Sequence, residues 1–140
     1  MSIFKGDNNF IETNSSKIWF EDSGIIKIEK KAGMHETLED AKENIKVIEN
    51  IVKGEKHGAI IDLRKITKQD DEAILHYARN ADSVNCIALA LWVDSDNSIC
   101  IAIANKYAGE SKVVAEIFKS ETEAQKWITS KLADKLKAFR

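Results

Sequence analysis

Apolar and polar positions along this chain change their rhythm near residue 37. Before it they come in short runs, one of them strictly alternating. After it, stretches of helical spacing take turns with continuous apolar runs of strand length. Phe10 to Thr13 and Lys17 to Phe20 read as short strands around Asn14-Ser15-Ser16, residues whose side chains bond local backbone and favour a turn. Glu21-Asp22-Ser23-Gly24 makes a second turn. Ile25 to Lys30 alternates, with Ile26 and Ile28 on one face and Ile25, Lys27 and Glu29 on the other, the period of a half-buried strand. These segments predict an antiparallel meander.

The next stripe is helical: Leu38, Ala41, Ile45, Ile48 and Val52 recur at steps of three and four. Thr37 is placed to cap it, with Asp40 as the third-position partner of a capping box and Gly54 where the helix would end. His57 to Asp62 predicts a buried strand, and Asp70 to Asn80 a helix with Ile74, Tyr77, Ala78 and Ala81 on one face. Cys86 to Val93 predicts a second buried strand. Ile99 to Ala104 fits strand and helix alike. We assign a helix over Asp96 to Ala108, capped by Ser95 and closed by Gly109. Val113 to Phe118 predicts the last strand. Ser120-Glu121-Thr122-Glu123 then supplies a capping box ahead of Ala124, Trp127, Ile128, Leu132 and Leu136, with Lys131, Lys135 and Lys137 near the helix end.

The order is βββ-αβαβαβα. It predicts a single α/β domain over residues 9–137, preceded by a flexible N-terminus at 1–8, with a mixed sheet begun by the meander and helices on one or both faces.

Composition narrows the function. The chain has 140 residues, 44% of them hydrophobic, which suits one core. With 21 basic and 23 acidic residues the net charge is -2, giving no electrostatic case for nucleic acid. No stretch approaches the roughly 20 apolar residues of a spanning helix, and Met1 to Asp7 lacks the apolar run of a signal peptide, so the reading is cytoplasmic. Cys86 and Cys100 lie in apolar surroundings. A disulfide is open to them, but a cytosolic chain favours buried free thiols.

The segment Ile60-Ile61-Asp62-Leu63-Arg64, leading to Asp70-Asp71-Glu72-Ala73-Ile74, resembles the STAS fold of anti-sigma-factor antagonists. More narrowly, the chain resembles bacterial STAS/SEC14-like proteins of unknown function. Ile18-Trp19-Phe20, Thr37 to Asn44 and Ser120 to Ile128 carry the likeness further, over roughly residues 9–130. Anti-sigma-factor antagonists bear an Asp-Ser-Ser-Gly motif at the start of the helix after this strand, and phosphorylation of one serine abolishes partner binding. Matched through Asp62-Leu63, that motif falls on Asp70, Asp71, Glu72 and Ala73. Both serine positions are acidic, so the phosphoswitch does not carry over. Asp71 and Glu72 supply a permanent, smaller charge at the same helix N-terminus.

Candidate chemistry sits at strand ends, where α/β proteins place sites. Asp70, Asp71 and Glu72 are candidates for binding a basic partner, though acids in a first turn also serve the helix dipole. They point in different directions and make a poor metal cage. Asp62 and Arg64 point to one side of their strand, to pair with each other or to line a crevice. Asp94 and Ser95 mark the second strand-end loop. Its acids repel an anion, and no glycine permits a phosphate loop. His35, His57 and His76 are scattered and lack partners at metal-ligand spacing. No nucleophile elbow is present. Trp92 and Trp127 read as core. Trp19 and Phe20 face opposite sides of their strand, so that one of them, exposed on an edge strand, would favour a homodimer.

No convergent reactive constellation emerges, and neither a catalytic residue nor a metal or cofactor is predicted. The sequence predicts a non-catalytic binding or regulatory module with a protein partner or a second copy of itself. The alternative is a carrier of a small apolar ligand held between helices and sheet, with Ile99 to Ala104 and Ile74, Tyr77 and Ala78 as lining.

Overall fold

The computed structural model describes residues 10–137, with side chains to residue 135. The expectation of a flexible segment at 1–8 lies outside the described residues, as does the side chain of Leu136. Among the described residues eight strands and four α-helices follow one another as β1 (Ile11–Glu12), β2 (Ser16–Phe20), β3 (Ile25–Lys30), β4 (His35–Glu36), α1 (Leu38–Val52), β5 (His57–Asp62), β6 (Lys68–Gln69), α2 (Asp71–Asn80), β7 (Cys86–Trp92), α3 (Ser98–Glu110), β8 (Val114–Phe118) and α4 (Glu121–Lys137), with a short 3-10 turn at Asp82–Val84 between α2 and β7. Six strands form one mixed sheet in the order β1-β2-β3-β5-β7-β8. The meander β1-β2-β3 is antiparallel, and β3-β5-β7-β8 run parallel. The predicted mixed α/β architecture is thus observed. The sequence pattern missed β4 and β6, which pair in parallel as a separate two-stranded sheet, His35 with Lys68 and Glu36 with Gln69. Two residues are too few to show a period.

Alternation along each strand distributes the core over two layers. Ile18, Ile26, Ile28, Ala59, Ile61, Leu89 and Leu91 face α1, α2 and α3, together with Ile48, Ile74, Tyr77, Ile103 and Tyr107. Ile25, Ile60, Ala88 and Ala90 face α4 through Ala124 and Ile128. The smaller layer depends on Gly58: a Cβ there would lie 2.5 Å from Ile128 Cγ2. Glycine at this point of β5 lets α4 approach the sheet.

Local signals explain most boundaries. Thr37 and Asp40 form the reciprocal capping box of α1, and the helix ends on left-handed Lys53 followed by Gly54. Ser120 Oγ accepts from the backbone N–H of Glu123 at the start of α4. The helix reading of Ile99 to Ala104 is right, but its cap is not Ser95. Asn97 takes that role, its side chain accepting from the N–H groups of Ile99 and Cys100, and α3 runs past Gly109 to Glu110. Ser and Asn are both strong caps, and Asn97 Nδ2 also donates to the Arg64 carbonyl at 3.1 Å. That tertiary bond distinguishes the two candidates.

The aromatic expectation is corrected as well. Trp19 and Phe20 are both half-buried, so neither is an exposed aromatic, although β1 pairs only with Lys17 and Ile18 of β2. Cys86 and Cys100 are buried free thiols, and burial pushes the Cys86 thiol up to about 12.

His57 opens β5 with 1% of its surface exposed and its ring edge-on to Phe20 at 6.3 Å. Burial pushes its imidazolium down, against a bond from Nδ1 to the Glu55 carbonyl. Burial also lowers His76. Below about pH 6.5 the unfolded chain takes up a proton that folded His57 refuses. Stability is therefore full above that pH and falls as pH drops, by at most about 1.4 kcal/mol per pH unit for one such group. Urea unfolding followed from pH 7.5 to 5 will show this slope, and His57→Phe will flatten it. An unchanged slope in that variant would assign the acid loss to other groups.

Candidate functional site

The candidate residues singled out from the sequence lie at the end of β5 and on the segments that follow β5 and β7, and the structure divides them among three places. Asp62 and Arg64 form a fork: Arg64 Nε donates to Asp62 Oδ1 and Nη2 to Asp62 Oδ2, both at 2.9 Å. The guanidinium lies flat on the Trp92 indole, 3.6 Å from the ring centroid. The bonds from Asp62 raise the Arg64 pKa above its ordinary value. This pair opens onto the α4 side of the sheet.

Asp70, Asp71 and Glu72 stand at the start of α2. Asp70 is the N-cap residue by position, but its side chain makes no cap bond. Its Oδ1 instead meets His35 Nε2 at 2.6 Å. Asp71 pairs with Lys106 of α3 at 3.0 Å. Glu72 is exposed. Asp94 and Ser95 form the third place, the exposed β7–α3 loop, where Asp94 Oδ1 accepts from the N–H of Asp96 at 3.0 Å.

The loop between β5 and α2 is held from several sides. The β4–β6 pairing joins it to the loop before α1, Thr67 Oγ1 donates to the Met34 carbonyl at 2.9 Å, and the Asp70 N–H donates to the Glu36 carbonyl at 2.9 Å. Beneath it lies a buried polar cluster that the sequence reading missed. Glu36 is 0% exposed and Lys30 is 2% exposed. Glu36 Oε2 accepts from Lys30 Nζ at 2.8 Å, from Tyr77 Oη at 2.7 Å and from Ser15 Oγ at 2.7 Å. Gln69 Nε2 donates to its other oxygen. Asn44 Nδ2 lies 2.6 Å from Tyr77 Oη and 3.0 Å from Ser15 Oγ, while Asn44 Oδ1 accepts from Thr13 Oγ1 at 2.6 Å. Lys30 Nζ also stands 4.2 Å above the Tyr77 ring. Burial pushes the Lys30 ammonium down while Glu36 opposes that shift, and burial pushes the Tyr77 hydroxyl up.

Two signals for this cluster were present. Lys30 continues the period of Ile26 and Ile28, and Asn44 falls inside the apolar stripe between Ala41 and Ile48. Glu36 carried no such signal, because β4 has no readable period.

Two spaces bear on ligands. The layer between sheet, α1 and α2 encloses a cavity of about 30 Å³, lined by residues such as Ile28, Ile48, Ala59, Tyr77 and Leu89. That is water-sized. A groove of about 190 Å³ lies on the other side, against Trp19, Lys27, Glu29, Asp62, Arg64 and Trp92. Among the described residues, no group of three or more His, Cys, Asp or Glu side chains is arranged to hold a metal ion, and no helix is long and apolar enough to cross a membrane.

One sequence match decides the family. A family model described as a domain of unknown function (DUF7793) matches residues 18–131. The chain belongs to that family. No curated protein matches the sequence. Among solved structures, an uncharacterised protein of the DUF3478 family from Shewanella loihica PV-4, described as having a SpoIIAA-like fold, is similar. It has a TM-score of 0.60 and 14% identity over 84% of this chain and 98% of that one. The activator SiaC, in the structure of its complex with the diguanylate cyclase SiaD from Pseudomonas aeruginosa, is similar over 77% of this chain and 96% of that one, with a TM-score of 0.51 and 12% identity. At such identities these likenesses show the fold, which is SpoIIAA-like, as the STAS resemblance implied.

Proposed function

We propose that this chain is a non-catalytic regulatory module that binds a protein partner through the end of the fold bearing the β5–α2 loop. One observation carries the reading. At the helix start where the resemblance puts a phosphorylatable serine, Asp71 and Glu72 stand instead, opening α2 directly after a loop held in place by the β4–β6 pairing and the buried cluster. A fixed charge on a fixed loop suits recognition in one permanent state. A similar structure, SiaC, is an activator in complex with a cyclase, which supports a partner-binding role without naming the partner here. The site also lacks a nucleophile poised beside a base, the arrangement that covalent chemistry requires.

The test uses the full chain with an affinity tag, cross-linked in its native cells and purified. A partner held in fixed stoichiometry by the wild type is expected to fall at least tenfold in yield with the triple variant Asp70→Asn, Asp71→Asn, Glu72→Gln. Capture unaffected by the triple variant, or none by the wild type, overturns the reading. A carrier role for an apolar ligand has the water-sized cavity against it.

A further inference from the structure

We propose that the groove on the α4 side of the sheet is a subsite for an arginine side chain of a partner protein. The proposal deepens the partner-binding reading and rests on it. Strand register builds the groove. Lys17 stands opposite Glu29, Glu29 opposite Asp62, and Asp62 opposite Trp92, so these side chains form one row across four strands. Trp19 lies opposite Lys27 one step along, on the same face. Helix α4 covers the Ile25, Ile60, Ala88 and Ala90 part of this face and leaves the row open beyond Glu121.

Within the groove three carboxylates, of Glu29, Asp62 and Glu121, meet two cations, of Lys27 and Arg64, and Lys17 stands at its edge opposite Glu29. Both cations are already committed. Arg64 forks onto Asp62, and Lys27 pairs with Glu21 at 3.4 Å and with Glu121 at 3.3 Å. The Glu29 carboxylate makes no hydrogen bond or close ion pair among the described residues; its charge acts on Arg64 only across the groove. Beside it stands Trp19, whose indole N–H is taken by Glu21 at 3.3 Å, so that the ring offers π surface.

The groove already holds one example of what fits such a pair. Asp62 and Trp92 are register partners, and a guanidinium lies on the indole while forking onto the carboxylate. Glu29 and Trp19, diagonal neighbours on β3 and β2 and not register partners, offer a carboxylate and an indole without a guanidinium between them. A planar cation is attracted to an indole face and to a carboxylate together, and arginine fits that combination better than lysine does. The volume of about 190 Å³ is below the usual range for a small-molecule pocket and suits a side chain.

The test is an NMR titration of the full chain, read at the tryptophan indole N–H signals, with N-acetyl-arginine amide as probe. The Trp19 signal is expected to shift and saturate in the millimolar range while Trp127, packed on Phe118, stays in place. N-acetyl-lysine amide should bind more weakly, and N-acetyl-glutamate amide should leave the spectrum unchanged. Glu29→Gln should weaken the arginine probe at least tenfold, and Trp19→Phe, read at the Trp92 indole signal that also lines the groove, should weaken it independently in a folded chain. Equal shifts with the arginine and glutamate probes, or full binding by Glu29→Gln, would overturn the subsite. A partner lost by the acidic triple variant but retained by Glu29→Gln would sink the arginine subsite while leaving the partner-binding reading intact.

Discussion

Glu36→Ala is expected to lower the unfolding free energy by about 3–5 kcal/mol, the largest effect of any single polar substitution in this fold. Glu36 is fully buried and accepts from Lys30, Tyr77, Ser15 and Gln69. Removing the carboxylate strands a buried ammonium and several buried donors at once, and each stranded donor forfeits its solvation without a partner. The surviving neighbours of Lys30 would be Tyr77 Oη at 2.9 Å and the Tyr77 ring. Urea unfolding read by tryptophan fluorescence gives the number. Adding Lys30→Met to Glu36→Ala should recover part of the loss, because the uncompensated charge goes with it. A loss under about 1 kcal/mol for the single variant would show that water reaches the cluster and replaces the carboxylate. The same variant should loosen the β5–α2 loop, since Gln69 and the pairing of β4 with β6 are anchored on Glu36. Hydrogen exchange at the Asp70 amide, which donates to the Glu36 carbonyl, reports that directly.

The second large effect belongs to Gly58. Gly58→Ala is expected to cost about 1–3 kcal/mol, because the new methyl would stand 2.5 Å from Ile128 Cγ2 and α4 would have to move out. The colliding atom is the branch methyl of isoleucine. Ile128→Leu removes that branch and keeps the volume, so on its own it should cost less than about 1.5 kcal/mol. The double variant should then be more stable than the sum of the two single losses implies. Simple additivity would mean that the clash is relieved elsewhere and that Gly58 is not what seats α4.

Much of this was legible in the chain. The period of Ile25 to Lys30, the stripe of α1, the continuous runs of β5 and β7 and the Thr37 capping box all act locally, and each is visible in the structure where the pattern put it. The STAS resemblance, matched through Asp62-Leu63, put the family's motif at Asp70 to Ala73, at the start of what is α2 in the structure. The candidate residues were legible as strand-end residues but not as a site. Asp62 and Arg64 face the α4 side, Asp70 pairs with His35 and Asp71 with Lys106, and Asp94 and Ser95 remain on an exposed loop.

The sequence by itself determined the longer strands and the four helices, because side-chain period and capping chemistry act over a few residues; the two-residue strands β4 and β6 carry no such period. Tertiary structure alone decided which carboxylates are buried, which are paired and which is left open. Glu36 lies in a two-residue strand where nothing local marks it for burial, and Glu29 lies on the polar face of an alternating strand where nothing local says whether it is paired. One is enclosed by Ser15, Lys30, Asn44, Gln69 and Tyr77, contributed by five different segments. The other faces an open groove beside Trp19. Burial and charge pairing are sums over distant parts of the chain, and they exist only once the sheet register has brought those parts together.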